Sequence, residues 1–173
     1  MTNNGSPSKA PKVGIVMGSD SDLPVMQAAA AILEQFEIEY EITVASAHRS
    51  PQRATDFAAG ARERGLAVII AGAGHAAHLA GVLAAHTCLP VIGVPIDSSC
   101  LQGLDALLST VQMPPGVPVA TMALGKPGAR NAGILAAQIL AVSDVHLARR
   151  LEAFKEEMAN QVERKAESLQ SAR

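Results

Sequence analysis

Short apolar runs, each followed by a turn and then a helical pattern, constrain this chain more than any other feature. Val13-Gly14-Ile15-Val16-Met17 is apolar or small at every position, the form of a strand buried on both faces. Leu66 to Ala71 and Val91-Ile92-Gly93-Val94 read the same way. Ile38 to Val44 alternates strictly between apolar and polar residues, which predicts a half-buried strand, and Val117 to Leu124 reads as a fifth strand. Helical patterns fall between them. Ser19 to Asp22 caps one that runs to about Phe36, and Ser50-Pro51 starts one that ends at Arg64 with Gly65 as its cap. Others run from about Ala76 to His86, from Leu101 to Ser109, and from Gly125-Lys126-Pro127-Gly128 to Leu140. Strands alternating with helices imply βαβ units, right-handed crossovers and a parallel sheet covered on both faces. The fold class expected is therefore α/β and doubly wound, without repeat or interior linker.

The chain of 173 residues is 49% hydrophobic and 17% charged, which suits one core-rich domain at 12–142. Its formal net charge is −2, and no Lys/Arg cluster interleaves with aromatics, so nucleic-acid binding is disfavoured. Cys88 and Cys100 lack metal-ligand spacing and read as reduced thiols of a cytoplasmic protein. Residues 1–11 are polar and are expected to form a disordered tail, without the apolar core of a signal peptide; no run is long enough to span a bilayer. Residues 143–173 stand apart. Ser143 is positioned to cap a helix from Asp144 to about Gln170, with Leu147, Leu151, Phe154, Met158, Val162 and Leu169 at helical spacing. Such a helix is roughly 40 Å long at 1.5 Å per residue, longer than a domain of this size needs, so its stripe is expected to dock on a neighbouring subunit.

Three strand-to-helix turns carry chemistry. Ser46-Ala47-His48-Arg49 joins the alternating strand to Ser50-Pro51, at the end of an open sheet where ligands bind. Arg49 can fork onto a phosphate, Ser46 can donate to it, and His48 can move a proton near neutral pH. Alone, His48 reads equally as a structural histidine bonded to a carbonyl. Gly18-Ser19-Asp20-Ser21-Asp22 opens the first helix, where free amides suit an anion and the aspartates suit sugar hydroxyls. The plainer reading of that segment is a Ser/Asp-rich cap. In Gly72-Ala73-Gly74-His75-Ala76-Ala77-His78, small residues let backbone amides face a carboxylate. A metal site from His75, His78 and His86 is the weaker reading, since no carboxylate or thiolate lies nearby in sequence to complete it. His146 reads as solvated. Neither a P-loop, a dinucleotide glycine pattern nor a nucleophile elbow is present.

Together, Gly18-Ser-Asp-Ser-Asp22, Ser46-Ala-His-Arg49, Ala71-Gly-Ala-Gly74 with Ala76-Ala-His-Leu79, Gly93-Val-Pro95, Ser109-Thr-Val-Gln-Met-Pro114 and Asn131-Ala132 resemble the 5-(carboxyamino)imidazole ribonucleotide mutase family of purine biosynthesis. The resemblance spans about Val13 to Leu140. It implies a flavodoxin-like three-layer fold, a homo-octamer with active sites between subunits, and no metal or organic cofactor. It implies that Ser19, Asp22, Ser46 and Arg49 bind the ribonucleotide with Asp20 close by, that Ala73, Gly74 and His78 belong to the substrate pocket, and that His48 transfers the proton. Arginine at 49 leans toward the mutase, since the related carboxylases that use free carbon dioxide usually carry lysine there.

Three positions depart from the family pattern: His75 stands for a glycine, Ala80 for a proline, and Leu23 for an aromatic. An imidazole at 75 plugs the pocket, adds an acid/base group, reads a modified substrate, or turns outward without consequence. The alternatives to the mutase are a diverged paralogue acting as carboxylase or decarboxylase on a related heterocyclic ribonucleotide, and a catalytically silent nucleotide-binding protein.

Overall fold

Crossover handedness decides which helix covers which face of this sheet. The computed structural model describes residues 12–171, so the tail expected at 1–11 lies outside the described residues. The elements run β1 (Val13–Met17), α1 (Leu23–Gln35), β2 (Tyr40–Val44), α2 (Pro51–Ala59), β3 (Val68–Gly74), α3 (Leu79–Ala85), β4 (Val91–Ile96), α4 (Leu104–Val111), β5 (Ala120–Thr121), α5 (Gly125–Ala141) and α6 (Val145–Ser171). All pairings are parallel, in the order β2-β1-β3-β4-β5. The chain first steps one way, from β1 to β2, and then always the other way. Right-handed crossovers therefore place α1 on one face and α2, α3 and α4 on the other. Gly133 of α5 backs onto Ala29 and Ile32, so α5 joins α1. This is the flavodoxin-like order.

The core lies where theory puts it for a two-sided sheet. Val13, Ile15, Val16, Ile69, Ile70 and Ile92 are fully buried. On one face Val16, Ile69 and Ala71 meet Ala54 and Ala58 of α2 and Leu79, Ala80 and Leu83 of α3 in a single cluster. Alanine supplies much of this packing, which is why so few aromatics suffice. Gly72 shows the same economy: a Cβ there would run into Sδ of Met26, which fills the space from α1.

Several boundaries differ from the sequence reading, each for a local reason. The expected strand at 117–124 shrinks to two residues. Its register holds for Ile92↔Ala120 and Gly93↔Thr121 only, and Pro118 has no N–H with which to extend it. Pro95 lies past that pairing, on the side of β4 that has no partner to miss its N–H. α2 ends at Ala59, and turns carry the chain to Gly65 at φ 92. There Leu66 N donates to Ala61 O and Gly65 N to Arg62 O, so the glycine closes a Schellman turn as expected. β3 runs on through Gly74, and the left-handed His75 delays α3 until Leu79. β2 is an edge strand, and its Ile42 and Val44 are about 40% exposed (41% and 40%) rather than buried.

The chain divides into two compact units between Ala136 and Ala137, within α5. In the second, α6 is 27 residues long. Asp144, not Ser143, caps it: Oδ1 of Asp144 accepts from the amides of His146 and Leu147 at 2.9 and 3.0 Å, and Ser143 Oγ instead donates to Leu140 O. Leu147 and Leu151 are buried, whereas Val145, Met158, Val162 and Leu169 are exposed. Among the described residues, no helix is long and apolar enough to cross a membrane.

Candidate active site

The sheet changes winding direction between β1 and β3, so the loops leaving them part to opposite faces and open a crevice at the carboxyl edge. The three turns singled out in the sequence all emerge there, after β1, β2 and β3.

The β1 turn is held by a reciprocal cap. Ser19 N donates to Asp22 Oδ2 at 3.1 Å, while Ser19 Oγ accepts from Ser21 N at 3.4 Å and donates to Asp20 Oδ1 at 3.1 Å. A Cβ on Gly18 would sit 3.8 Å from both Asp22 Oδ2 and Ala73 Cβ, so the open space beside Gly18 is bordered by both. Asp22 is only 6% exposed. Burial pushes its carboxyl above the usual range; the Ser19 amide and the charges of Arg49 and His75 oppose that rise, and Asp20 adds to it.

The β2 turn is closed by two serines. Ser46 N donates to Ser50 Oγ at 2.9 Å, and Ser50 N donates back to Ser46 O at 2.9 Å. Ser50 was expected to cap α2, yet its side chain makes no cap bond and closes this loop instead. Arg49 N donates to Ser46 Oγ at 3.2 Å, and Arg49 Nη2 reaches Gly18 O at 2.9 Å. The guanidinium therefore bridges the β1 and β2 turns. Its own backbone carbonyl partner was not legible from the sequence, because it depends on strand order.

In the β3 turn, His78 Nδ1 lies 2.7 Å from His48 Nε2, with the rings edge to face. One of these nitrogens donates and the other accepts, so the pair shares a hydrogen between two imidazoles. Both rings are exposed. His75 adopts φ 53, a region that histidine tolerates better than most residues, and its Nδ1 lies 3.2 Å from Ser98 Oγ on the loop after β4. Gly74 must lack a side chain, since a Cβ there would strike Ser98 Oγ. Ser98 and Asp105 went unnoticed in the sequence, although Asp97-Ser98-Ser99 follows an apolar strand to the same ligand-binding edge.

An open cleft of about 420 Å³ is lined by Gly18, Ser19, Asp20, Val44, Ser46, Arg49 and Ser50. Four of the expected ligand residues thus share one wall system. A second cleft of about 450 Å³ holds Arg53 and Arg64, but both are already engaged. Arg53 bonds Val44 O and Thr43 Oγ1, and Arg64 pairs with Glu41 and lies over the Phe57 ring. The three histidines of the metal reading go to three different partners, with His86 Nδ1 against Val82 O. Among the described residues no three metal-ligating side chains gather.

The AIR carboxylase family model matches residues 12–161. The N5-carboxyaminoimidazole ribonucleotide mutase of Thermotoga maritima is 59% identical over 160 residues, covering 92% of each chain. Its counterpart in Pyrococcus abyssi is 60% identical over 148 residues, 86% of this chain and 84% of that one. The crystal structure of Treponema denticola PurE superposes with a TM-score of 0.81 at 27% identity, covering 92% of this chain and 98% of that one.

Proposed function

The chain belongs to the AIR carboxylase family, and we infer that it moves a carboxylate within N5-carboxyaminoimidazole ribonucleotide, from the exocyclic nitrogen to ring carbon 4, in purine biosynthesis. It is an isomerase: the product, 4-carboxy-5-aminoimidazole ribonucleotide, has the same atoms as the substrate. The observation that supports the residue-level reading best is the contact of His48 with His78 at the sheet edge that also carries Ser19, Asp22, Ser46 and Arg49.

The ligand is a sugar phosphate bearing a heterocycle, and the site offers a group for each part. Arg49 and the Ser46 hydroxyl take the phosphate. Asp22 and Asp20 accept from the ribose hydroxyls. Ala73 and Gly74 leave room for the imidazole and its carboxylate. His48, as an acid, protonates the exocyclic nitrogen as the N–CO₂ bond breaks. The released carbon dioxide stays in a small apolar pocket and bonds to ring carbon 4. His48, now a base, removes the proton from that carbon, and the ring regains aromaticity. One imidazole thus gives and takes back a single proton, and nothing enters or leaves. Confinement keeps recombination unimolecular. His78 holds the His48 ring and couples its tautomer to that of His48.

Every step is a proton transfer or a carbon dioxide transfer, so the reading includes no metal or organic cofactor. It also includes a homo-octamer with sites at subunit contacts, working in the cytoplasm. Two facts support the assembly. His48 and His78 are exposed in a single chain, yet carbon dioxide must be kept from water. Leu101, Leu104, Leu108 and Val111 also leave an apolar face on and before α4 uncovered.

The test is to incubate the protein with N5-carboxyaminoimidazole ribonucleotide, and separately with the decarboxylated ribonucleotide plus bicarbonate, following imidazole absorbance. Conversion of the first at low bicarbonate, with little of the second, is the expected result. Equal competence with both, or reaction with neither, overturns the reading.

A further inference from the structure

β3 and β4 pair as far as Gly74↔Ile96, and there the backbone ladder ends. The next rung is made by side chains. Ser98 Oγ lies 3.2 Å from His75 Nδ1, so the first residue beyond β3 is tied to the loop beyond β4. Both ends of this rung are held. Ser98 N donates to Ile96 O at 3.0 Å, and the Ser98 side chain covers the face of Gly74 where a Cβ would otherwise stand. His75 takes φ 53, a left-handed conformation that persists in a residue other than glycine only where its surroundings impose it. Three residues further on, His78 meets His48 at 2.7 Å. The turn from His75 to His78 is thus held by two side-chain contacts, one to the β4 loop and one to the β2 turn. Only Ala76 and Ala77 separate them, so a shift of His75 displaces His78.

We propose that His75 is a positioning residue: its bond to Ser98 holds the β3 turn where the His78 ring meets His48. The kinetic consequence rests on the reading of His48 as the group that transfers the proton. Ser98 Oγ both donates and accepts, so the rung forms with either tautomer of the imidazole. Neither side chain touches the substrate in this role. What the bond supplies is placement, and a displacement of about 1 Å in a group that orients an acid lowers a rate while leaving ligand affinity nearly as it was. Asparagine is the other side chain that fits this geometry. Its amide oxygen and nitrogen are bonded to Cγ, as Nδ1 is in histidine, and it tolerates positive φ better than most residues. Glycine suits the backbone equally well but has nothing to offer Ser98.

Two measurements test this together: steady-state kinetics with N5-carboxyaminoimidazole ribonucleotide, and amide hydrogen exchange of the β3 turn in the unliganded protein. His75→Gly is expected to lower kcat about fivefold with KM within about twofold. It should also speed exchange of the His78 amide, which donates to Ala76 O at 2.8 Å. Ser98→Ala, which leaves position 75 untouched, gives the same two changes. The double variant is no worse than either single one, because both remove one bond. His75→Asn keeps kcat and exchange near those of the unsubstituted protein. In a His78→Gln background, His75→Gly costs nothing more in kcat, which a general loosening of the fold would not allow. Unchanged kcat or unchanged exchange in both His75→Gly and Ser98→Ala overturns the proposal. So does an asparagine variant that behaves like glycine, or losses that add in the double variant or in the His78→Gln background. Should exchange follow this pattern while the unsubstituted protein converts no carboxyaminoimidazole ribonucleotide, the mutase reading falls and the positioning of His78 by His75 and Ser98 stands.

Discussion

His48 and His78 are 30 residues apart in the chain, and their rings meet edge to face with Nε2 and Nδ1 2.7 Å apart. Strand order brings this about. β2 and β3 flank β1, so the turns that follow them reach toward each other across the end of β1. A short N···N contact between two imidazoles couples their tautomers, since only one of the two facing nitrogens carries the hydrogen.

Replacing His48 with asparagine keeps a hydrogen-bonding side chain but removes the group that can act as acid and then as base. His48→Asn should lower kcat by about 10³-fold while ribonucleotide affinity stays within a few-fold. Steady-state rates and calorimetric binding, measured on the same preparation, check both halves.

His78 acts through His48, so its loss should be milder. His78→Gln is expected to lower kcat by about tenfold or more and to move the pH optimum, with KM little changed. A pH–rate profile separates this from a general loosening of the turn, which would lower the rate equally at every pH.

Burial holds the Asp22 carboxyl above its ordinary range. A carboxyl raised in the folded state favours folding at pH values below its unfolded value, and this contribution is lost as pH rises through the folded value. Asp22→Asn should therefore melt higher than the unsubstituted protein at pH 7, with the gap closing near pH 4. Its ribonucleotide affinity should fall at the same time. Melting curves across that range test the sign.

Arg49 spans from its own turn to Gly18 O. Lysine at this place keeps the charge but not the planar fork. Arg49→Lys should raise KM about tenfold or more, and adding salt should weaken binding further because a point charge is screened more readily. KM measured at two ionic strengths decides it.

The layered α/β architecture was legible because short apolar runs such as Val13–Met17 have few other uses, and the three turns were legible because ligand sites gather where strands end. Strand order was not, since it depends on pairings far apart in sequence. For that reason the alternation in β2 suggested a buried face, while Ile42 and Val44 lie exposed on an edge strand. The contacts of His48 with His78 and of Arg49 with Gly18 follow from the same unseen order. Ser50 and Ser143 each looked like a cap, but serine bonds whichever backbone group is nearest. Ser50 found Ser46, and Asp144 was better placed to cap α6. The segment Gly72 to His78 reads as a single loop, although three of its residues, Gly72, Ala73 and Gly74, complete β3 before His75 turns the chain.

The central claim is that the carboxylate leaves one atom of the substrate and joins another without leaving the site. Substrate carrying ¹³C in its carboxylate, converted in unlabelled bicarbonate, tests it most directly. The account predicts product that keeps nearly all of the label, and no such product from His48→Asn on the same timescale. Product with its label diluted to the level of the bicarbonate pool would contradict it.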